Sequence, residues 1–343
     1  MQGIKSVREA DVQGKRVLVR VDFNVPMQNG QVADGSRIKA ALPTIALLQK
    51  KGAQKIILLT HLGRPEGKQQ KEFSLAPIAQ NLASEKVLGS ASPQPDHFPQ
   101  QGSDSYRISD SIELRENLRF DPREEQNDAS FAQELAAQGD VYVNEAFSNS
   151  HRTHASMVSL PNLLPGYLGL QCAGEIEHLS EALTPPQGSV ALVAVTKVDK
   201  FPLVEKLATL YHKVLVGGPV QSDYIPTAPN IEVPTDGIPE RRGLLDIGPQ
   251  TRAAYVQEVS DAPFVLWNGP LGWYEKGYTE STDAIARTII SHEIRAVIGG
   301  GDTVAAVAKF NFDPERVFIS TGGGAMLQFL VDGTLPALEA LKR

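Results

Sequence analysis

The sequence is poor in cysteine and lacks the segments that membranes and secretion require. Cys172 is the single cysteine in 343 residues, so an intrachain disulfide framework is excluded and a reducing compartment is expected. The opening stretch MQGIKSVREADVQGKRV has no apolar core of a signal peptide, and no apolar run is long enough to span a bilayer. A soluble, cytoplasmic protein is the expectation. Basic excess is also missing: Lys+Arg 33 against Asp+Glu 40 gives a net charge of −7. That excludes a general nucleic-acid binder but allows a local cationic pocket. With no Cys cluster and no H-E-x-x-H, a zinc site is not expected. There is no G-x-x-x-x-G-K-[ST] loop and no long-period repeat of solenoid type.

What is present is a 41% hydrophobic chain, long enough for more than one core, so two domains are expected. Short runs rich in Val, Ile and Leu alternate with helical patterns. Residues 16–21, 55–60 and 140–143 read as strands, and 37–51 and 75–83 as helices. Apolar residues on consecutive positions predict strands buried on both faces, and the alternation predicts an α/β fold with parallel sheets. Residues 89–105 are polar and proline-rich and read as a surface loop. Residues 173–182 have helical spacing that the TPPQG stretch at 184–188 breaks, which makes this the candidate domain connection. The second half repeats the alternation, with strands at 191–195, 213–216, 264–267, 295–298 and 316–319.

Arginines mark the first half: Arg37, Arg64 in THLGRP, Arg119 in ENLRF and Arg152 in HRTH. Several follow a predicted strand end, where ligands of open α/β sheets bind. The planar guanidinium fork suits carboxylates and phosphates. Together they point to a small polyanion, although each taken alone also fits a solvated or paired surface arginine. Asp22 and Asn24 in RVDFNVP share parity at a strand end, so both could meet a substrate hydroxyl, or simply lead into the turn at Pro26. His61, His151 and His154 could be bases, ligands or structural residues. His61 beside Arg64 fits anion binding better than acid–base work.

The second half carries glycine-rich strand-to-helix turns. In Gly299-Gly300-Gly301-Asp302-Thr303, backbone N–H groups and a helix start can meet a phosphate, and Asp302 can hold Mg2+. Gly322-Gly323-Gly324 offers a second cradle; a tight turn is the plainer reading of either alone. In Thr196-Lys197-Val198-Asp199-Lys200, the lysines could neutralise a phosphoryl group or be solvated at a helix start. The string also matches a guanine-reading T-K-x-D, a poor fit without a P-loop.

Taken in order and spacing, these segments resemble the phosphoglycerate kinase family. They are RVDFNVP at 20–26, RIKAALPTI at 37–45, THLGRPEG at 60–67, ENLRF at 116–120, VNEAFSNSHRTHAS at 143–156, WNGPLGWYE at 267–275, GGGDT at 299–303 and STGGGA at 320–325. The resemblance implies two Rossmann-like domains with parallel sheets, facing across a cleft and joined by a hinge helix. Residues 1–170 with 328–343 would bind phosphoglycerate, and 171–327 the nucleotide. It implies reversible phosphoryl transfer from 1,3-bisphosphoglycerate to ADP with Mg2+, a hinge closure that excludes water, and a monomer acting on small molecules. Asp22, Asn24, Arg37, His61, Arg64, Arg119 and Arg152 would contact phosphoglycerate. Lys197 and Lys200 would contact the nucleotide and the phosphoryl group in flight. Asn268, Glu275, Gly299, Gly300, Gly301, Asp302 and Thr303 would line the nucleotide side, with Asp302 on the metal. Backbone N–H groups near Gly299 and Gly322 would stabilise the transferred group.

The chain departs from the family in places. Residues 194–200 (AVTKVDK) stand where the family has Gly-Gly-Ala-Lys-Val-Ser-Asp-Lys, so both glycines and a residue between the lysines are gone. On a helix, a shift of one position turns a side chain by about 100°. The stretch 217–247 is shorter than in the family and interrupted by Pro219, Pro226, Pro229, Pro234 and Pro239, which no long helix sustains. Thr60, Glu145 and Ser148 replace the family's Ser, Asp and Gly. An active, trimmed kinase is the leading reading. The alternative is an impaired paralogue that binds phosphoglycerate or a protein.

Overall fold

The computed structural model describes residues 3–88, 104–195, 200–218, 225–240 and 243–342. The chain forms two compact units, Met1–Glu175 with Thr334–Arg343, and Ile176–Gly333.

Each unit is built on a six-stranded sheet. In the first, the spatial order is Ser105–Arg107, Ile112–Arg115, Lys55–Leu59, Arg16–Val21, Val141–Glu145 and Gly166–Leu168. All neighbours run parallel except the Ser105–Arg107 edge. In the second, the order is Ile231–Glu232, Lys213–Gly217, Val190–Ala194, Phe264–Asn268, Arg295–Gly299 and Val317–Ser320, parallel throughout. The uninterrupted apolar runs explain the parallel pairing. Val190–Ala194 and Phe264–Asn268 are buried at every position, as strands covered on both faces must be. Trp267 is the largest fully buried side chain in the second unit.

The strand order has a consequence for ligands. In the second unit the chain winds outward one way from Val190–Ala194, then returns to place Phe264–Asn268 on its other side. This is the Rossmann order, and the crevice lies at the carboxyl ends where the winding reverses. In the first unit the reversal falls between Arg16–Val21 and Val141–Glu145.

The units divide inside the helix Leu170–Leu183, between Glu175 and Ile176, rather than at 170/171. The first turn is tied to the first unit because Gln171 and Cys172 N–H groups donate to Glu145. The second boundary falls after Gly333 rather than after 327. The helix Gly324–Asp332 stays whole and ends on left-handed Gly333. Downstream, Ala337 N–H donates to the Ser150 carbonyl at 3.1 Å.

Other differences are local. The first-half helix spans Ser36–Lys50, and the strand expected at 140–143 spans Val141–Glu145. The loop reading of 89–105 lies, through residue 103, outside the described residues. Within 225–240 and 243–247, the described chain forms Ile231–Glu232 and an antiparallel pair, Gly237–Glu240 with Gly243–Ile247, and no helix. Among the described residues no helix is long and apolar enough to cross a membrane.

Candidate functional site

In the first unit the candidate residues gather in the loops that leave the carboxyl ends of the parallel strands. Asp22 and Asn24 follow Arg16–Val21; His61 and Arg64 follow Lys55–Leu59; Arg119 follows Ile112–Arg115; Arg152 follows Val141–Glu145. The strand ends at Val21, so Asp22 and Asn24 are loop residues. Strand parity does not orient them; hydrogen bonds do. Asp22 Oδ1 accepts the Asn24 N–H at 3.2 Å, and Oδ2 accepts from Arg37 Nη1 at 2.8 Å and from Ser148 Oγ. Because Ser148 follows the neighbouring strand, this contact bridges the reversal point. Asn24 Oδ1 accepts the Gly63 N–H at 3.0 Å, and the Gly63 carbonyl accepts from Arg119 Nη1 at 2.7 Å. Gly63 has φ +62 and a Cβ there would lie 2.2 Å from the Phe73 ring, so only glycine threads between Asn24 and Arg119. Asn117 sets Arg119 in turn: its Oδ1 accepts the Arg119 N–H at 3.1 Å while Nδ2 donates to the Leu62 and Phe73 carbonyls.

Behind this rim lies a buried cationic group that the sequence reading did not assign to the site. Arg20 is 1% exposed. Its Nη2 lies 3.1 Å from His61 Nδ1, and its Nε donates to Ser156 Oγ at 3.0 Å. Glu124 is fully buried and accepts from Ser156 N–H at 2.9 Å and Ser156 Oγ at 2.5 Å. His154 Nδ1 lies 3.9 Å from Glu124 Oε1. A signal existed: Arg20 interrupts the apolar run RVLVRV on a central strand, where a charge is rare without a purpose.

The electrostatics show what this arrangement lacks. Burial, then the charges of Arg20, Arg119 and Arg152, holds His61 well below the ordinary histidine value. His154 is pushed down to about 3, by burial first and then by the same guanidiniums. Burial and neighbouring arginines push Arg119 down to about 10, against the pull of Glu125. Arg119 Nε lies 2.9 Å from Glu125 Oε1, close enough for an ion pair. The carboxylate sits off the N–H direction, so Nε and Nη2 have no hydrogen-bond acceptor among the described residues. Arg152 Nε is likewise buried without one, and His151 Nδ1, a donor or an acceptor according to its tautomer, has no hydrogen-bond partner among the described residues. Buried donors of this kind are costly unless something accepts from them. A small anion would satisfy the guanidinium donors and offset the mutual repulsion. Arg64 is exposed and has no partner among the described residues.

The second unit assembles its candidates at its own reversal point. Lys200 Nζ donates to the Ala194 carbonyl at 2.9 Å and lies 3.4 Å from Asn268 Oδ1. Asn268 Nδ2 donates to the Gly299 carbonyl at 3.1 Å, and Gly269 N–H donates to Thr303 Oγ1 at 2.6 Å. Lys200, Asn268, Gly299 and Thr303 thus form one network. Lys200 precedes the helix Phe201–Ala208 and is not on it. Lys197 lies outside the described residues, with the rest of 196–199. Gly300 turns the chain at φ +95 into the helix Gly301–Val307. Strand register sets Gly299 beside Ser320, which brings the two glycine-rich turns together. Gly322 is buried, and its own N–H is taken by Ser320 Oγ at 3.2 Å.

Asp302 and Glu275 are exposed, and both raise the Tyr274 phenol after burial does, so they flank the same ring. Glu275 Oε2 accepts from Trp273 Nε1 at 3.3 Å. Asp302 has no hydrogen-bond or ion-pair partner among the described residues, and no described group of three or more His, Cys, Asp or Glu forms a protein-only metal cage. A free carboxylate at a helix start fits Mg2+ that takes its other ligands from phosphate and water.

Two Rossmann-type units, each with polar groups collected at its reversal point, define an α/β protein of two domains. The family model for phosphoglycerate kinase matches residues 7–233 and 222–333. The two matched pieces meet within the stretch read as shortened. A phosphoglycerate kinase of Moorella thermoacetica is 36% identical over 392 residues, covering 98% of each chain. One of Pelotomaculum thermopropionicum is 37% identical over 390 residues with the same coverage. Both alignments are longer than the 343-residue chain, so these relatives hold residues that it lacks. The solved structure of phosphoglycerate kinase from Coxiella burnetii superposes with a TM-score of 0.82 at 30% identity, covering 98% of each chain. That from Pyrococcus horikoshii OT3 gives 0.78 at 25% identity, again covering 98% of each. The chain belongs to the phosphoglycerate kinase family.

Proposed function

We propose that this chain transfers a phosphoryl group reversibly between 1,3-bisphosphoglycerate and ADP, giving 3-phosphoglycerate and ATP. The observation that carries the reading is a set of buried guanidinium donors without a hydrogen-bond acceptor among the described residues, on Arg119 and Arg152, beside the buried Arg20 and His61. In this reading Arg119, Arg152, Arg64 and His61 bind the phosphate end of phosphoglycerate. Asp22 and Asn24 orient its hydroxyl, and Arg37 meets the carboxylate that accepts the phosphoryl group. That carboxylate is already ionised at neutral pH, so no general base is needed. What the residues supply is positioning and positive potential.

On the nucleotide side, Lys200 and Asn268 face the transferring phosphoryl group. Gly299, Gly300, Gly301 and Thr303 receive the phosphates, and Glu275 holds the ribose. Lys197 and the backbone near Gly322 are assigned supporting roles. Asp302 holds Mg2+, which neutralises the phosphate oxygens when bound. The short 217–247 stretch leaves a more open base and ribose pocket, with relaxed base selectivity. ADP and GDP constants as tight and selective as those of a longer relative count against that point. Cytoplasmic location and a monomer belong to the same reading, as does action on small molecules and not on nucleic acid or membranes.

The test is a coupled assay with 3-phosphoglycerate, ATP and Mg2+. Wild type turns over, and Arg37→Ala and Asp302→Ala each fall by orders of magnitude. A wild type that binds phosphoglycerate at millimolar concentration but stays silent overturns the reading in favour of a binding paralogue.

A further inference from the structure

We infer that Glu124, Ser156 and Arg20 are positioning residues whose hydrogen-bonded chain fixes the tautomer of His61 and leaves its proton on Nε2. What His61 then meets rests on the phosphoglycerate reading; the chain itself does not.

The directions of the hydrogen bonds carry the argument. A guanidinium only donates. With Arg20 Nη2 at 3.1 Å, His61 Nδ1 must accept. The ring is neutral, because burial and three nearby guanidiniums oppose a further charge. Its proton therefore sits on Nε2, which makes no hydrogen bond among the described residues. Arg20 is itself held from behind. Its Nε donates to Ser156 Oγ at 3.0 Å, so that oxygen spends a lone pair on Arg20 and sends its own proton to Glu124 Oε1 at 2.5 Å. Glu124 Oε2 takes the Ser156 N–H at 2.9 Å. Burial raises the Glu124 carboxyl, but the Arg20 charge and the two Ser156 hydrogen bonds oppose that and favour its ionised form, so it acts as a carboxylate.

The chain is dry: Glu124 and Ser156 are 0% exposed, Arg20 1% and His61 2%. In such a setting each hydrogen bond is strong and each broken one is costly. Two roles follow for Glu124. It is a fully buried counter-charge to Arg20 and lies 3.9 Å from His154 Nδ1, so it helps Arg20 to stay charged. Through Ser156 it also sets the rotation of the guanidinium that dictates the imidazole tautomer. Neutral imidazole with Nε2–H is a donor without a counter-charge requirement, suited to a phosphate or carboxylate oxygen.

The experiment is a long-range 1H–15N correlation on the labelled full chain, with calorimetry for 3-phosphoglycerate and ADP. In wild type, His61 is expected to show an unprotonated Nδ1 and a protonated Nε2 from pH 6 to 8. In Ser156→Ala and Glu124→Gln, His61 shows mixed tautomers and 3-phosphoglycerate binds about tenfold more weakly. ADP affinity, a property of the other unit, stays within about twofold. A protonated Nδ1 in wild type overturns the inference whether or not the variants fold. So does weaker phosphoglycerate binding with the wild-type tautomer intact, which is what a merely structural role produces. A wild type with the expected tautomer but no affinity for 3-phosphoglycerate refutes the proposed function and leaves the chain standing.

Discussion

Arg37 Nη1 lies 2.8 Å from Asp22 Oδ2 and 3.1 Å from the Asn24 carbonyl, which joins the first turn of one helix to the loop after the central strand. Arg37 is 40% exposed, so the pair contributes little to stability, under about 1 kcal/mol. Arg37→Ala is therefore expected to leave thermal stability nearly unchanged. The affinity for 3-phosphoglycerate falls by about tenfold or more, as a charge-assisted contact is lost. Paired calorimetry and melting curves check this; a large fall in melting temperature with full affinity assigns Arg37 to structure instead.

Glu145 links stability to pH. Burial pushes its carboxyl up to about 7, although Thr44 Oγ1 and the Gln171 and Cys172 N–H groups all act to lower it. Between about pH 4.5 and 7 the folded chain keeps a proton that the unfolded chain releases. Stability therefore falls as pH rises through that window, by about 3 kcal/mol in total. Glu145→Gln has no proton to release, so its stability relative to wild type should improve steadily from pH 5 to 7.5. Denaturant melts showing a constant difference across the window exclude the linkage.

The histidines act in the opposite sense. His61, His151 and His154 are all held below the usual value, first by burial. The unfolded chain takes up protons below about pH 6.5 that the folded chain refuses. Their contribution is present above that pH and declines as pH falls toward the folded values. Substituting His154→Gln should flatten the acid limb of a stability profile measured between pH 7.5 and 5.5. An unchanged limb rules out His154 as a source.

Gly300 has φ +95, and a Cβ there would sit 3.1 Å from Asn268 Nδ2 and 3.2 Å from Thr303 Oγ1. Gly300→Ala strains the turn by about 1–3 kcal/mol and disturbs the network that holds Lys200. ADP affinity should fall while 3-phosphoglycerate binding to the first unit is retained. Equal loss of both ligands points to global unfolding, and loss of neither removes this turn from the nucleotide site.

How much of this was legible in the sequence differs between the units. The strand at Arg16–Val21 and those running into Gly217 and Gly299 stand out because parallel strands buried on both faces need consecutive apolar residues. The glycine-rich turns follow directly, since a helix that starts on a strand's last residue needs a positive φ between them. The helix Pro249–Asp261 is less visible: it buries only Thr251, Tyr255 and Val259, too narrow a stripe for a strong periodic signal. The first-unit arginines were visible as residue types in known motifs, but the same types occur on any surface.

Residue order alone determined the α/β class and the family segments, and it named the candidate rim residues. Those depend on local periodicity and on motifs that are contiguous in the chain. Only the tertiary structure decided that Asp22 and Asn24 are oriented by Ser148, Arg37 and Gly63, that Arg20 stands behind His61, and that Glu124 is the buried counter-charge. Those partners lie between 13 and 126 residues apart in the chain. Burial, not residue type, sets whether a guanidinium is a solvated surface charge or an unsatisfied donor waiting for an anion.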